Sequence, residues 1–140
     1  MLLIDVNVLV YAYREDAPDH THFRDWLADL LESKKPFGVA ELVLSGFLRI
    51  TTHPKIFNPP SPLQDALSFV ETLRAQPGYT AVAPGPRHWQ IFLQLCKATS
   101  AVGNFIPDAY LAAIAIESAR EWITTDRGFD RFPGLQWRRP

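Results

Sequence analysis

Met1-Leu2-Leu3-Ile4-Asp5-Val6-Asn7-Val8-Leu9 opens the chain, and its reading decides the fold. Four apolar residues in a row predict a short buried strand over residues 1–5, closed by an acid. A helix through about Arg14 follows, with Asn7 as its N-cap. An acid that interrupts a buried strand is costly unless something partners it. The pattern returns twice: Phe37-Gly38-Val39-Ala40 runs into Glu41, and Trp122-Ile123-Thr124-Thr125 runs into Asp126. A fourth acid, Asp108, stands behind Pro107 at the head of an apolar stretch reaching Ala119. Acids at strand ends and helix starts map to the rim of a parallel sheet, where α/β proteins place their sites.

The segments between these runs are helical. Phe23, Trp26, Leu27, Leu30 and Leu31 follow the i, i+3, i+4, i+7, i+8 pattern, with Asp25, Asp29 and Glu32 opposite. Glu41 to Thr52 predicts a helix burying Leu42, Leu44, Phe47 and Leu48. The proline-rich stretch His53 to Pro62 is a surface loop. Pro62 then enters a helix with Leu63, Leu67 and Val70 on one stripe. Tyr79 to Ala83 is a further strand, and the next helix is built on Trp89, Phe92, Leu93 and Cys96. A helix from Pro107, apolar nearly all round until Glu117, must be buried on most sides. Residues 122–125 and 135–137 add two strands. Strands alternating with helices imply a parallel sheet covered on both faces.

At 140 residues the chain is a single domain, 1–140, with room for one core. The net charge of −1 gives no overall basic field, so contact with RNA or DNA needs a local patch or a bridging metal. One cysteine, Cys96, excludes an internal disulfide and a Cys-rich zinc site. The opening lacks a basic leader, and Asp5 and Asn7 break its apolar run, so neither a secretory signal nor a membrane span is expected and the cytoplasm is the default location. The four histidines fit surface or capping roles better than metal ligation: His20 and His22 flank a helix start, and His53 and His88 lie beside prolines in loops.

Converging carboxylates repel one another unless a cation neutralises them, and hard oxygen donors suit Mg²⁺ or Mn²⁺. A metal-acidified water attacking phosphorus then gives phosphodiester hydrolysis without a covalent intermediate. Asp5 and Asp108 are the strongest pair of candidate ligands, joined by Asp126 and Glu41. Asn7 and Asn104 are placed to orient those carboxylates, and the hydroxyls of Thr124 and Thr125 to hold a water or an outer contact. Arg127 and Arg131, with Arg138 and Arg139, form either a solvated face or the basic patch that phosphates need. Taken singly, an Asp at a helix start is more often a cap than a ligand. The metal reading rests on four acids at separate element junctions.

Four segments together resemble the PIN-domain proteins: Leu3-Ile4-Asp5-Val6-Asn7-Val8-Leu9, Ser45-Gly46-Phe47-Leu48-Arg49-Ile50-Thr51-Thr52-His53-Pro54, Gly103-Asn104-Phe105-Ile106-Pro107-Asp108-Ala109 and Thr124-Thr125-Asp126-Arg127-Gly128-Phe129. Their order and spacing are similar to VapC-type toxins of bacterial toxin–antitoxin modules, in the branch abundant in mycobacteria. The resemblance implies a three-layer α/β/α sandwich with a central, mostly parallel sheet, and a Mg²⁺- or Mn²⁺-dependent endoribonuclease. Asp5 matches the first acidic position, Asp108 the third and Asp126 the fourth. The second acid is expected directly before the Phe-Leu-Arg segment, where this chain has Gly46; Glu41, five residues earlier, takes that role here. The resemblance also implies a VapB-type antitoxin partner, a homodimer, and a structured RNA substrate such as tRNA or ribosomal RNA.

A haloacid-dehalogenase-like phosphatase needs a second acid two residues after the first, and Asn7 occupies that place. A receiver-like phosphoacceptor needs an acidic neighbour for Asp5 and a late lysine, yet no lysine follows Lys97. The alternative that survives is a non-catalytic PIN-like protein that binds RNA or a partner, kept alive by Gly46.

Overall fold

The computed structural model describes all of residues 1–140. Five strands, β1 (Leu2–Ile4), β2 (Phe37–Ala40), β3 (Tyr79–Val82), β4 (Glu121–Ile123) and β5 (Trp137–Arg138), form one sheet in the order β3-β2-β1-β4-β5. Every pairing is parallel. Six helices connect them: α1 (Val6–Tyr13), α2 (His20–Ser33), α3 (Glu41–Thr51), α4 (Leu63–Arg74), α5 (His88–Thr99) and α6 (Phe105–Glu117). A 3₁₀ turn, Arg127–Arg131, joins β4 to β5.

The order of strands assigns the helices to layers. From β1 the chain steps outward to β2 and then β3 through α1 to α4; after β3 it crosses back over both strands to β4 through α5 and α6. Right-handed crossovers travelling in opposite directions lie on opposite faces, so the sheet is the middle of three layers. Helix packing agrees: α1 rests on α2 and α3, α3 on α4, and α5 on α6. The chain leaves β1 toward one edge and β4 toward the other. The carboxyl ends of β1 and β4 therefore bound the crevice in which open parallel sheets hold their ligands.

Leu3, Ile4, Val39, Trp122 and Ile123 are buried in the sheet, and Val8, Leu9, Phe47, Leu73 and Ala112 meet them from the helices. As expected for an all-round apolar helix, Ala109 and Leu111 to Ala115 are buried in α6, where four alanines permit close packing. β2 is buried throughout, and the lack of a side chain at Gly38 is required there: a Cβ would strike the Val82 side chain.

Several expectations need correction. Asp5 rather than Asn7 caps α1, because the strand ends one residue earlier and its carboxylate reaches the Val6 N–H. α6 begins at Phe105, and Pro107 sits inside its first turn, where no N–H is needed. Leu42 is exposed and Val43 takes its place inward. In α4 the buried stripe is Ala66, Val70 and Leu73, leaving Leu63 outside. In α5 the inward stripe is His88, Phe92 and Leu95; Trp89 and Leu93 face solvent. His88 is thus not a loop residue. It is buried at the head of α5, with Nε2 2.9 Å from the Tyr110 carbonyl oxygen.

Candidate active site

Asp5 leaves β1 in extended conformation and turns into α1, so its carboxyl group stands at the sheet rim yet is only 4 % exposed. The parallel register that pairs Ile4 with Ile123 sets Thr124 beside it. The Thr124 hydroxyl donates to Asp5 Oδ2 at 2.6 Å, and the Val6 N–H donates to Oδ1 at 2.7 Å. Thr124 Oγ1 also accepts the Asp126 N–H at 3.0 Å, so one hydroxyl ties the first acid to the loop carrying the last. Asp126 Oδ1 accepts the Gly128 N–H at 2.7 Å, which caps the 3₁₀ turn and fixes the carboxylate.

Asp108 comes from the opposite layer, in the first turn of α6, where the helix dipole favours a negative charge. The charges of Asp108 and Asp126 are both felt at Asp5. Burial pushes the Asp5 carboxyl up to about 6; the hydrogen bonds from Thr124 and Val6 oppose that rise, and the charges of Asp108 and Asp126 add to it. Asp108 is also raised, first by burial and then by Asp126, while Arg131 pulls the other way. None of the three belongs to an ion pair; the pairs in the molecule are Arg14–Asp16, Arg24–Asp25 and Arg138–Glu121.

Glu41 starts α3 at the carboxyl end of β2, the strand next to β1, and is exposed. It shares the rim but not the cluster. Its charge contributes to neither the Asp5 nor the Asp108 shift. It borders a small depression with Leu42, Val82, Pro84 and Tyr110. No three of the acidic, histidine or cysteine side chains stand close enough to enclose an ion by themselves. The donor set nevertheless fits Mg²⁺ or Mn²⁺, which keep several waters and need only a few carboxylates. A buried Asp5 with acidic neighbours and no basic partner is the mark of that fit.

Of the proposed orienting residues, Asn7 is in place: its Oδ1 lies 3.4 Å from the Thr125 N–H and its Nδ2 lies 3.5 Å from Thr124 Oγ1. Of the two threonine hydroxyls expected to make an outer contact, Thr124 makes it, to Asp5, while Thr125 contributes its backbone. Asn104 is exposed ahead of α6 and makes no capping hydrogen bond through its side chain. Gly46 faces Val6, with room for a Cβ at 3.6 Å from Val6 Cγ2. Arg127 and Arg131 are both exposed on the 3₁₀ turn. Asp130 is turned away to accept from Trp137 Nε1 at 3.2 Å.

An all-parallel sheet with this strand order and acids along its carboxyl rim defines a class of protein. The PIN domain model matches residues 2–135, and the chain belongs to the PIN-domain family. Within it, relatives that align over the whole chain include VapC ribonucleases. Ribonuclease VapC25 of Mycobacterium tuberculosis is 46% identical over 140 residues, covering 100% of this chain and 99% of the relative. Ribonuclease VapC43 of the same organism is 45% identical, over 100% of this chain and 95% of its own. Among solved structures, VapBC2 from Rickettsia felis bound to a promoter DNA fragment shares the fold at a TM-score of 0.72 and 16% identity, over 99% of this chain and 97% of the other. FitAB bound to the IR36 DNA fragment matches at 0.69 and 17% identity, over 100% and 95%.

Proposed function

We propose that this protein is an endoribonuclease toxin of the VapC type that hydrolyses RNA phosphodiester bonds with the help of Mg²⁺ or Mn²⁺. The observation that carries the reading is Asp5: a buried carboxyl group, bonded by Thr124 and the Val6 N–H, with Asp108 and Asp126 as its charged neighbours and no basic partner. Full-length relatives at 45% and 46% identity named as VapC ribonucleases support it.

Asp5, Asp108 and Asp126 would hold the cation, which supplies charge neutralisation at phosphorus and an acidified water. Thr124 keeps Asp5 in a single orientation and links it to Asp126. Asn7 accepts from the Thr125 N–H and donates to the Thr124 hydroxyl oxygen, bracing that pair. Glu41, on the neighbouring strand end, is the carboxylate available to orient a water or take up its proton. Val8, Leu9 and Ala109, wholly buried behind the acids, exclude water from that side.

A VapB-type antitoxin is the proposed partner and inhibitor, in line with the solved neighbours that are toxin–antitoxin complexes. A homodimer acting on tRNA or ribosomal RNA in the cytoplasm completes the proposal. No helix is long and apolar enough to cross a membrane.

The test is cleavage of total bacterial RNA by purified protein, with Mg²⁺ or Mn²⁺ and then with chelator, beside a folded Asp5→Ala variant. Discrete fragments that need metal and vanish in the variant are expected. Silence from the folded, metal-loaded protein would favour a PIN-like binder without catalysis.

A further inference from the structure

Arg131 stands on the 3₁₀ turn that Asp126 caps and reaches across to Phe105 at the head of α6, the helix that carries Asp108. An exposed guanidinium that flanks the same glycine as Asp126 would be expected to close onto that carboxylate. It does not. Arg131 takes no part in any ion pair.

Two contacts hold it off the acids. Arg131 Nε donates to the Gly128 carbonyl oxygen at 2.7 Å. The guanidinium carbon lies 3.5 Å from the centre of the Phe105 ring, so the group lies over that ring in a cation–π contact. Phe105 itself is 40% exposed, in the first turn of α6, three residues before Asp108. A Cβ at Gly128 would stand 2.9 Å from Asp126 Oδ1 and 3.1 Å from Arg131 Nη2, so acid and guanidinium flank the same glycine. The terminal nitrogens of Arg131 have no protein acceptor.

This arrangement bridges the arms that carry Asp108 and Asp126, and it fixes a planar donor fork without using its outer N–H groups. Such a fork matches a phosphate in two-point contact. An RNA strand entering a rim of carboxylates meets repulsion, which a fixed positive group at the edge offsets.

We propose that Arg131, shelved on Phe105, holds a phosphate of the RNA strand next to the bond that is cut. The inference rests on the ribonuclease reading above and names the substrate contact of that same site.

The test is anisotropy of a short fluorescent single-stranded RNA, in chelator so that no cleavage occurs, across a range of KCl concentrations. Arg131→Ala should weaken binding about fivefold or more and flatten the log–log salt slope by about 0.7, one phosphate contact on a single strand. Arg131→Lys should keep the slope and recover part of the affinity, because charge remains without the planar fork. Phe105→Leu should keep the slope with a smaller loss. Arg74→Ala, at the far end of α4, should change neither. Melting curves confirm that each variant is folded. Unchanged affinity and slope in folded Arg131→Ala would overturn the proposal, as would a variant that changes Mn²⁺ affinity alone. RNA binding that depends on Arg131 in a protein unable to cut would leave the clamp standing and remove the nuclease reading. Cutting that persists while binding ignores Arg131 would do the reverse.

Discussion

Two charged regions of this molecule are built on opposite rules. At the end of α1, Arg14 makes two hydrogen bonds to Asp16, at 2.9 and 2.7 Å, one to Ser61 Oγ and one to the Pro59 carbonyl oxygen, and it covers the Phe57 ring. That region closes its own account of charge and hydrogen bonds, and its effect is to pin the 53–62 loop to α1. At the β1/β4 crevice, Asp5, Asp108 and Asp126 share one field with no ion pair between them and any base. A folded chain keeps such an imbalance only where something else completes it. The first region is architecture; the second carries the proposed cation site.

The largest expected break in that contrast is Asp5→Asn. Its cleavage rate should fall on the order of 10²–10³-fold, the scale of losing one preorganised charge at a reaction centre. Yet the metal-free variant should melt higher than the wild type at neutral pH, because a buried charge has been removed. Rate and melting measurements on one preparation check both halves.

pH sharpens the same point. The folded carboxyl titrates near 6 against an ordinary 3.8, so the folded protein binds this proton more tightly than the unfolded chain does. Its contribution is therefore most favourable at low pH and is lost as pH rises between those two values, by about 3 kcal/mol in all. The stability gap between Asp5→Asn and metal-free wild type should open over that interval and stay flat above it, as followed by urea unfolding at stepped pH. Saturating Mn²⁺ should close or invert the gap at neutral pH, since a ligand that binds only the folded state stabilises it.

Thr124→Val should cost about 10–100-fold in metal affinity, as losing an orienting partner does. Calorimetric Mn²⁺ titration measures this, and Thr124→Ser should restore most of it. Smallest in its effect on chemistry is Arg14→Ala. It should destabilise the fold by about 1–3 kcal/mol, through acceptors left unpaired, and leave cleavage by the folded protein unchanged.

The contrast also marks what could be read before the structure. β1, β2 and β4 are legible as apolar runs that lead to an acid, and the alternation with helices implies a parallel sheet. The bounds are not, since β4 is Glu121–Ile123 rather than 122–125 and the edge strand β5 is Trp137–Arg138 rather than 135–137, set by pairing with Trp122 and Ile123. The same logic puts all four acids at element junctions on the carboxyl rim; it does not separate Glu41 from the other three, because which strand ends are neighbours follows from sheet order. The inward face of α5 is not legible, because Trp89, Phe92, Leu93 and Cys96 satisfy helical spacing as well as His88, Phe92 and Leu95 do; the packing partner Tyr110 decides between them. The threonine pair before Asp126 is legible as a source of hydroxyl contacts, but that Thr124 bonds Asp5 is not, because the contact spans 119 residues and follows from strand register. The seat of Arg131 on Phe105 likewise joins a 3₁₀ turn to a helix start, a pairing no local pattern encodes.

The most direct test of the central claim is Mn²⁺ binding to the purified protein by calorimetry at neutral pH, with Asp5→Asn, Asp108→Asn and Arg14→Ala alongside. Saturable binding in the wild type and Arg14→Ala, lost or greatly weakened in both aspartate variants, is the predicted result. Equal Mn²⁺ affinity in all four folded proteins, or none in the wild type, would contradict the account.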